Sequence, residues 1–387
     1  MIYFDNNATT KIDDKVLECM LPYLRDQYAN ASSVQHKMGR HANHAIEKAR
    51  LQVSDFLSVA NKEIFFCSGS TEAINTVIKG IAKNYKSKGN HIITCSTEHK
   101  AVISSCNAIE KEGTNVSYLP VNEQGQLDLK ELENTITSKT ILVCLMAANN
   151  ETGVIHPIDQ IAEICNRKGV LFFCDATQLI GKLPFNLEDS NIDILCFSAH
   201  KFHGPKGAAA LYIRRSSKPI QIAPLIVGGN QENSFRGGTY AVPQIVGLGE
   251  AINQVVFDNG IEELRNHFEK QISIQINEIR IHSSKVLRIP NTSNIQFNYV
   301  RGNELMTKIP EIAISSGSAC VSGSRDPSHV LKAMGLSDED AYCSLRFSFS
   351  KYNTKEEIDQ AINSIKVAVD KIREESPVWQ MYQEGLL

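Results

Sequence analysis

Short apolar runs alternate with longer amphipathic segments over much of the chain. The apolar runs predict strands at residues 64–67, 91–95, 115–119 and 141–146, and the amphipathic segments predict helices at residues 71–83, 100–111, 129–135 and 158–167. Strands that alternate with helices usually pair in parallel, because each helix carries the chain back across the sheet. The pattern therefore predicts an α/β fold with a mostly parallel sheet and helices on both faces.

The last third of the chain has a different pattern. Strands are predicted near residues 293–299 and 343–349, with helices between them, which is typical of a smaller α+β unit. We therefore predict two domains, a large one over residues 15–260 and a small one that combines residues 1–14 with residues 261–387. A chain of 387 residues is long enough for both.

Composition and charge exclude several classes of partner. Hydrophobic residues make up 42% of the chain and charged residues 21%, as in soluble globular proteins. A net charge of -3 and a pI near 6.4 give no reason to expect nucleic acid or an acidic membrane as partner. No apolar run approaches the roughly 20 residues of a membrane helix. The start of the chain lacks a basic or Arg-rich leader, so we expect a cytoplasmic protein.

The ten cysteines do not suggest disulfides or a metal site. Five of them, Cys67, Cys144, Cys165, Cys174 and Cys196, stand in or beside apolar runs or helical patterns, where a thiol behaves as a small hydrophobic group. A large α/β chain does not need disulfides for stability. No Cys-x-x-Cys pair is present, so we expect no zinc or other resident metal.

Two predicted strands end in residues that carry chemistry. Residues 194–198 form an apolar run followed by Lys201 and a Gly-Pro-Lys-Gly turn, and Asp175 follows the apolar run 170–174. Burial lowers the pKa of a lysine, whose neutral amine can then form a Schiff base with a carbonyl. A lysine and an aspartate at neighbouring strand ends form the polar frame of a pyridoxal phosphate (PLP) site. The alternatives are an ordinary loop lysine and a helix N-cap aspartate.

These motifs resemble those of a known family. Residues 175–178 (Asp-Ala-Thr-Gln) and 198–201 (Ser-Ala-His-Lys) are similar to the cofactor motifs of the cysteine desulfurases, PLP enzymes of the class V aminotransferase superfamily. The resemblance extends from residues 3–10 to residues 376–382 and is closest to the IscS-type desulfurases of iron–sulfur cluster assembly. It implies the PLP-dependent transferase fold type I, with a large domain and a smaller α+β C-terminal domain.

The phosphate of the cofactor has candidate ligands in three segments. Ser70 and Thr71 stand where a small-residue turn becomes a helix, and the N–H groups of a helix start favour a phosphate. Simple helix capping by either hydroxyl is the alternative. By resemblance Thr71 matches a phosphate ligand, Ser70 replaces the family's alanine, and Ser198 and His200 also hold the phosphate.

Thr239 is a candidate ligand for a neighbouring subunit. The resemblance implies a homodimer in which this threonine reaches the phosphate of the partner subunit's cofactor. The family has serine where this chain has Gly237, and glycine samples more backbone states, so we expect a looser loop. An ordinary loop hydroxyl is the alternative for Thr239.

Three further residues are expected around the cofactor ring. His99 follows the strand 91–95, and a neutral imidazole suits both ring stacking and proton transfer, the roles that the resemblance implies. A surface histidine that caps the next helix is the alternative. Asn150 stands in a pattern typical of a turn, and the resemblance places it near the cofactor and the substrate carboxylate. The resemblance also implies that Gln178 hydrogen-bonds the ring hydroxyl oxygen.

Arg346 and Cys320 are the candidate substrate-binding and nucleophilic residues. Arg346 interrupts an alternating strand, and its planar guanidinium fits the α-carboxylate of an amino acid; an internal salt bridge is the alternative. Cys320 stands in a Ser/Gly-rich loop, residues 315–324, where a thiol is expected to be exposed and free to attack. A bystander cysteine is the alternative. The loop resembles the nucleophile loop of the family's long-loop class.

Together these residues predict a PLP-dependent desulfurase that converts L-cysteine into L-alanine. Lys201 removes the Cα proton, His99 moves protons, and the Cys320 thiolate captures the sulfur as a persulfide. The resemblance implies an iron–sulfur scaffold protein or another sulfur acceptor as partner, and Cys320 would touch a partner's cluster only transiently. The rivals are a transaminase, a selenocysteine lyase, and a non-catalytic scaffold or binding protein with the same fold.

Overall fold

The structure is a computed structural model that describes residues 1–215, 219–316 and 326–386. The strands, in chain order, are β1 (Ile2–Tyr3), β2 (Ile64–Cys67), β3 (His91–Cys95), β4 (Asn115–Leu119), β5 (Thr140–Met146), β6 (Leu171–Asp175), β7 (Ile194–Ser198), β8 (Ala209–Ile213), β9 (Ile279–Ile281), β10 (Thr292–Phe297), β11 (Ile312–Ala313) and β12 (Ser344–Ser348). The helices are α1 (Asp14–Arg25), α2 (Lys37–Leu57), α3 (Ser70–Asn84), α4 (Lys100–Glu110), α5 (Leu129–Thr135), α6 (Ile158–Lys168), α7 (Val242–Asn253), α8 (Gly260–Gln275), α9 (Gly302–Lys308), α10 (His329–Ala333), α11 (Asp338–Tyr342), α12 (Lys355–Glu374) and α13 (Pro377–Gln383).

Strands β2 to β8 form one sheet in the order β2-β8-β7-β6-β5-β3-β4. The neighbours from β7 to β4 pair in parallel, whereas β8 is antiparallel to both β7 and β2. The prediction of an α/β fold with a mostly parallel sheet is confirmed. Over the described ranges, no helix is both long and apolar enough to span a bilayer.

The sheet is covered on both faces because successive strand residues point to opposite sides. Phe172 packs in an apolar cluster with residues of α2 and α7, whereas its neighbour Phe173 packs in a second cluster with residues of α3 and α4. Both phenylalanines are fully buried. The central parallel strands β5, β6 and β7 are thus mostly apolar and buried on both faces, which explains why their sequence pattern is a continuous run rather than an alternation.

A further apolar cluster lies around the antiparallel sheet β12-β10-β9. It combines Phe4 from the start of the chain with Phe268 of α8, Phe347 of β12 and residues of α12. The rings of Phe268 and Phe347 lie 4.8 Å apart. This cluster draws on residues that we assigned to the small domain. The boundaries 15–260, 1–14 and 261–387 remain a prediction.

Candidate active site

A cavity of about 410 Å³ opens at the carboxyl ends of β5, β6 and β7. In parallel sheets this edge is where ligands bind, because the strand ends and the following loops leave a crevice there. All predicted site residues except Thr239 and Cys320 line it: Ser70, Thr71, His99, Asn150, Asp175, Gln178, Ser198, His200, Lys201 and Arg346. Cys320 lies outside the described residues.

Lys201 reaches the cavity from a 3-10 turn (Ala199–Lys201) that follows β7 directly. Its Nζ donates hydrogen bonds to the main-chain oxygens of Asn7, at 2.7 Å, and Ala8, at 2.8 Å. Burial and, after it, the positive charge of Arg346 lower the pKa of Lys201 to about 8, against the opposing charges of Asp175 and Asp5. A substantial fraction of this amine is therefore neutral at slightly alkaline pH.

We expect this shifted titration to be measurable on the cofactor-free protein. Trace labelling of Lys201 with an amine-reactive reagent, followed by peptide mass spectrometry, should reach half of its maximal rate near pH 8. Burial disfavours the charged form, so the midpoint must lie below the value of about 10.4 for an ordinary lysine. A midpoint near the ordinary value would contradict the assignment of Lys201 as a readily deprotonated amine.

Asp175 is the last residue of β6 and is 5% exposed. Its Oδ1 accepts a hydrogen bond from the Thr177 N–H at 3.0 Å. No α-helix occurs between β6 and β7, so the alternative of a helix N-cap is wrong. The carboxylate thus lies in the cavity wall, next to the strand whose end leads to Lys201.

The start of α3 forms one end of the cavity. Gly69 occupies the N-cap position without a side-chain cap, so the alternative in which Ser70 or Thr71 caps the helix is wrong. The Ser70 N–H donates to Ser198 Oγ at 3.0 Å, and the Ser70 hydroxyl lies 2.7 Å from the Thr177 hydroxyl. These contacts place hydroxyl groups and main-chain N–H groups together, which is an arrangement that binds anions.

His200 also lines the cavity. Its Nδ1 is 3.1 Å from the hydroxyl of Thr9. Burial lowers the pKa of His200 to about 4, and the positive charges of Lys201 and Lys206 act in the same direction. The imidazole is therefore neutral near pH 7 and can offer one N–H donor.

His99 is both the cap of a helix and a wall of the cavity. Its Nδ1 accepts a hydrogen bond from the Ala101 N–H at 3.1 Å. His99 therefore does cap α4, as the alternative stated. The ring also lines the cavity. Burial lowers the pKa of His99, with the charge of Asp175 opposing this shift. A neutral ring fixed by its helix suits stacking against a planar ligand.

Arg346 likewise combines its two predicted roles. Its Nη2 donates to Asp5 Oδ1 at 2.7 Å, so the internal salt bridge that we gave as the alternative is present. Its Nη1 donates to the main-chain oxygen of Asn150 at 2.9 Å. The guanidinium also lines the cavity, and its buried Nε has no partner among the described residues. The ion pair therefore holds the guanidinium in place at the cavity wall.

Sequence reasoning missed two residues, Asn7 and Lys182. The carbonyl oxygen of Asn7 accepts from Lys201 and from Gln178 Nε2, and its side chain donates to the Asn150 oxygen at 3.1 Å. Lys182 Nζ donates to the side-chain oxygens of Gln178 and Asn7. Two sequence features could have indicated these residues: the polar run that follows β1, and the spacing of four residues between Gln178 and Lys182.

Thr239 is exposed and does not line the cavity. Its segment is attached to α3, because Arg236 Nε donates to Glu72 Oε1 at 2.8 Å. A Cβ on Gly237 would lie 2.6 Å from the main-chain nitrogen of Gly228, so the two backbones approach too closely for a side chain. Gly237 thus has a packing role here, where we had expected only a looser loop.

Within the residues that the structure describes, no group of three or more His, Cys, Asp or Glu is placed to hold a metal ion. The polar groups of the cavity are instead a lysine, an arginine, one carboxylate, three amides, hydroxyls and neutral imidazoles. Such a set suits an organic anion with a carbonyl or carboxylate group better than a metal, because metal sites converge several anionic or imidazole ligands.

Comparisons of this chain with known proteins agree on one family. The family model described as aminotransferase class-V matches residues 2–361. A protein named cysteine desulfurase IscS from Anaeromyxobacter sp. (strain Fw109-5) is 44% identical over 390 residues, which covers 100% of this chain and 96% of that protein.

Solved structures agree with these matches. A NifS-like protein gives a TM-score of 0.89 at 39% identity, over 95% of this chain and 99% of that chain. SspA in complex with cysteine gives a TM-score of 0.82 at 35% identity, over 92% of this chain and 100% of that chain. The predicted resemblance is confirmed. Since the family model and these relatives span nearly its whole length, the chain belongs to the aminotransferase class-V family.

Proposed function

We propose that this protein is a PLP-dependent cysteine desulfurase that converts L-cysteine into L-alanine. One observation carries the proposal: the Lys201 amine, whose pKa is lowered to about 8, and the Asp175 carboxylate line one cavity that ends at the start of α3. The 44% identity to a protein named cysteine desulfurase IscS supports the choice of reaction.

The residues of the cavity fit PLP. The N–H groups at the start of α3, the hydroxyls of Thr71 and Ser198, and the neutral His200 would hold its phosphate. Asp175 would keep its pyridine nitrogen protonated, Gln178 would bind its ring oxygen, and the flat ring of His99 would lie against it. When bound, the cofactor supplies an electron sink for the charge that develops at the substrate Cα.

The remaining steps belong to side chains of this chain. Arg346 and Asn150 would orient the substrate carboxylate, so that the Cα proton faces Lys201 Nζ. Lys201 accepts that proton, a role for which a pKa of about 8 is well matched near neutral pH. His99 would move a proton as the sulfur leaves. The Cys320 thiolate then accepts the sulfur, which leaves L-alanine and a persulfide on Cys320.

The sulfur would pass to an iron–sulfur scaffold protein or to another acceptor for thio-cofactor synthesis. We also propose a homodimer, in which Thr239 reaches the phosphate of the cofactor in the partner subunit. Two observations support it: Thr239 is exposed outside the cavity of its own chain, and the exposed apolar residues Leu225, Ile226 and Val227 precede its segment. Cytoplasmic location remains a prediction.

The direct test is the release of alanine and sulfide from L-cysteine, with and without a thiol reductant. With reductant, both products should form catalytically and in equal amounts. Without it, alanine formation should slow sharply after about one equivalent per subunit, because only the substrate thiol is left to discharge the persulfide. The purified protein should also show an absorbance band near the visible edge that disappears on borohydride reduction. A colourless protein that releases no alanine would overturn the proposal.

A substitution of Arg346 separates substrate binding from cofactor binding. Arg346→Lys should raise the KM for cysteine by roughly 30- to 150-fold, because a lost charge-assisted pair costs about 2–3 kcal/mol. The cofactor spectrum should stay normal. Arg288→Lys is the matched control, since Arg288 forms an equally short ion pair, 2.7 Å to Glu269, away from the cavity. An unchanged KM in Arg346→Lys would leave Arg346 only its structural pair with Asp5.

A further inference from the structure

Lys182 is half-buried and has no acidic partner among the described residues. It lines a second cavity of about 120 Å³, which Lys201 and Lys351 also line. Its Nζ donates to Gln178 Oε1 in a very short contact and to Asn7 Oδ1 at 3.0 Å. Burial lowers its pKa well below that of an ordinary lysine, and the charges of Lys201 and Arg346 add to this shift. A partly buried lysine without an acidic partner is costly, so its presence calls for a reason.

The two bonds of the Gln178 amide determine its orientation. Gln178 Nε2 donates to the carbonyl oxygen of Asn7 at 3.0 Å, and a carbonyl oxygen can only accept. Gln178 Oε1 accepts from Lys182 Nζ on the other side. A flipped amide would place Oε1 against the Asn7 carbonyl and Nε2 against the donor, so both bonds would be lost. The second hydrogen of Nε2 stays available for a group in the cavity that Gln178 lines.

We propose that Lys182 is a positioning residue, which holds the Gln178 amide so that its N–H, and not its carbonyl, faces the ring oxygen of the cofactor. This inference rests on the proposed function, because it needs a ligand oxygen in the cavity. Lys182 touches neither the substrate nor the cofactor in this scheme. Its effect is transmitted entirely through the orientation of Gln178.

An N–H donor at the ring oxygen has a measurable consequence. It withdraws negative charge from that oxygen, and the nitrogen that joins the cofactor to Lys201 then holds its proton less strongly. The pH midpoint of the cofactor's absorbance change is therefore kept low. Without Lys182 the amide can turn, which would bring a carbonyl oxygen to the ring oxygen and raise the midpoint.

The experiment is a double-mutant cycle read by absorbance, on protein loaded with PLP. Lys182→Met keeps the volume of the side chain without its donor, and should raise the midpoint by about one pH unit, the equivalent of one hydrogen bond. Gln178→Met should raise it similarly. In the Gln178→Met background, Lys182→Met should cause no further change, because its only route of action is already absent.

The cycle also excludes a simple effect of charge. A general electrostatic role would make Lys182→Met shift the midpoint equally in both backgrounds, and that result would overturn the proposal, as would no shift in either. Lys351→Met is the matched control, since Lys351 lines the same cavity but pairs with Asp13 at 2.6 Å, away from Gln178. It should leave the midpoint unchanged.

The experiment also distinguishes a failure of the proposed function from a failure of the role of Lys182. If the unmodified protein shows no cofactor band with PLP, the proposed function fails. If that band is present and titrates but Lys182→Met leaves its midpoint unchanged, only the role of Lys182 fails. Lys182→Leu, of similar volume, serves as a second replacement if the methionine variant does not fold.

Discussion

Replacing Lys201 with alanine is expected to abolish alanine formation, lowering kcat by more than about 10⁴-fold, because one side chain is both the covalent anchor and the base at Cα. PLP should still bind through its phosphate and its pyridine nitrogen, whose proposed ligands do not include Lys201. The absorbance of the variant with PLP should resemble that of free cofactor. Borohydride should no longer attach PLP to the protein, which intact mass spectrometry measures directly.

The matched control is Lys206→Ala, in the turn that follows. Lys206 is exposed and does not line the cavity, so its replacement should leave kcat and KM unchanged. From sequence alone Lys206 is the nearest substitute for Lys201. The structure offers Lys182 instead, because it lines a cavity together with Lys201 and its pKa is lowered. Retained turnover in Lys201→Ala, with borohydride-fixed cofactor on Lys182, would contradict the assignment.

Cys320→Ser should separate cofactor chemistry from sulfur capture. The proposed ligands of the cofactor do not include Cys320, so the absorbance band and its change on adding cysteine should persist. Productive cleavage of the carbon–sulfur bond needs a thiolate acceptor, and serine is a poor one at neutral pH. Persulfide should therefore be absent and alanine formation should fall by at least about 10²-fold. Mass spectrometry of the unmodified enzyme after one turnover should find one added sulfur on the Cys320 peptide.

The other cysteines supply the controls for this prediction. Of the nine in the described residues, eight are buried and Cys19 on α1 is exposed. Burial raises the pKa of Cys106 and Cys343 and so lowers their thiolate fraction. Cys19→Ser should leave the rate unchanged. An added sulfur on Cys19, Cys106 or Cys343, or an unaltered rate in Cys320→Ser, would show that the nucleophile was wrongly assigned.

The sequence was most informative where chemistry follows an apolar strand. Asp175 and Lys201 could be placed at one edge of a sheet because parallel strands end together, and that rule needs only the local pattern. The same reasoning located Ser70 and Thr71 at a helix start. It could not decide between capping and ligand binding, because the sequence does not show which of Gly69, Ser70 and Thr71 occupies the N-cap position.

Contacts between residues far apart in the sequence could not be predicted from local sequence patterns. The ion pair between Arg346 and Asp5 joins residues 341 positions apart, and the bond between Lys182 and Asn7 joins residues 175 positions apart. The sequence around either residue of such a pair gives no indication of its partner, because only the fold brings the two together.

The segment that contains Asn7 also restricts when the site can form during synthesis. Ile2 pairs with Ile312, and the Asn6 side chain donates to the Ser348 oxygen at 2.8 Å. On the ribosome, residues 2–8 are made long before residues 312–348, so their partners do not exist until most of the chain has emerged. The sheet can form earlier from residues 64–213, whereas the oxygens that hold Lys201 reach it only near the end of translation. A nascent chain arrested before β12 should therefore fold its central sheet without completing its catalytic cavity.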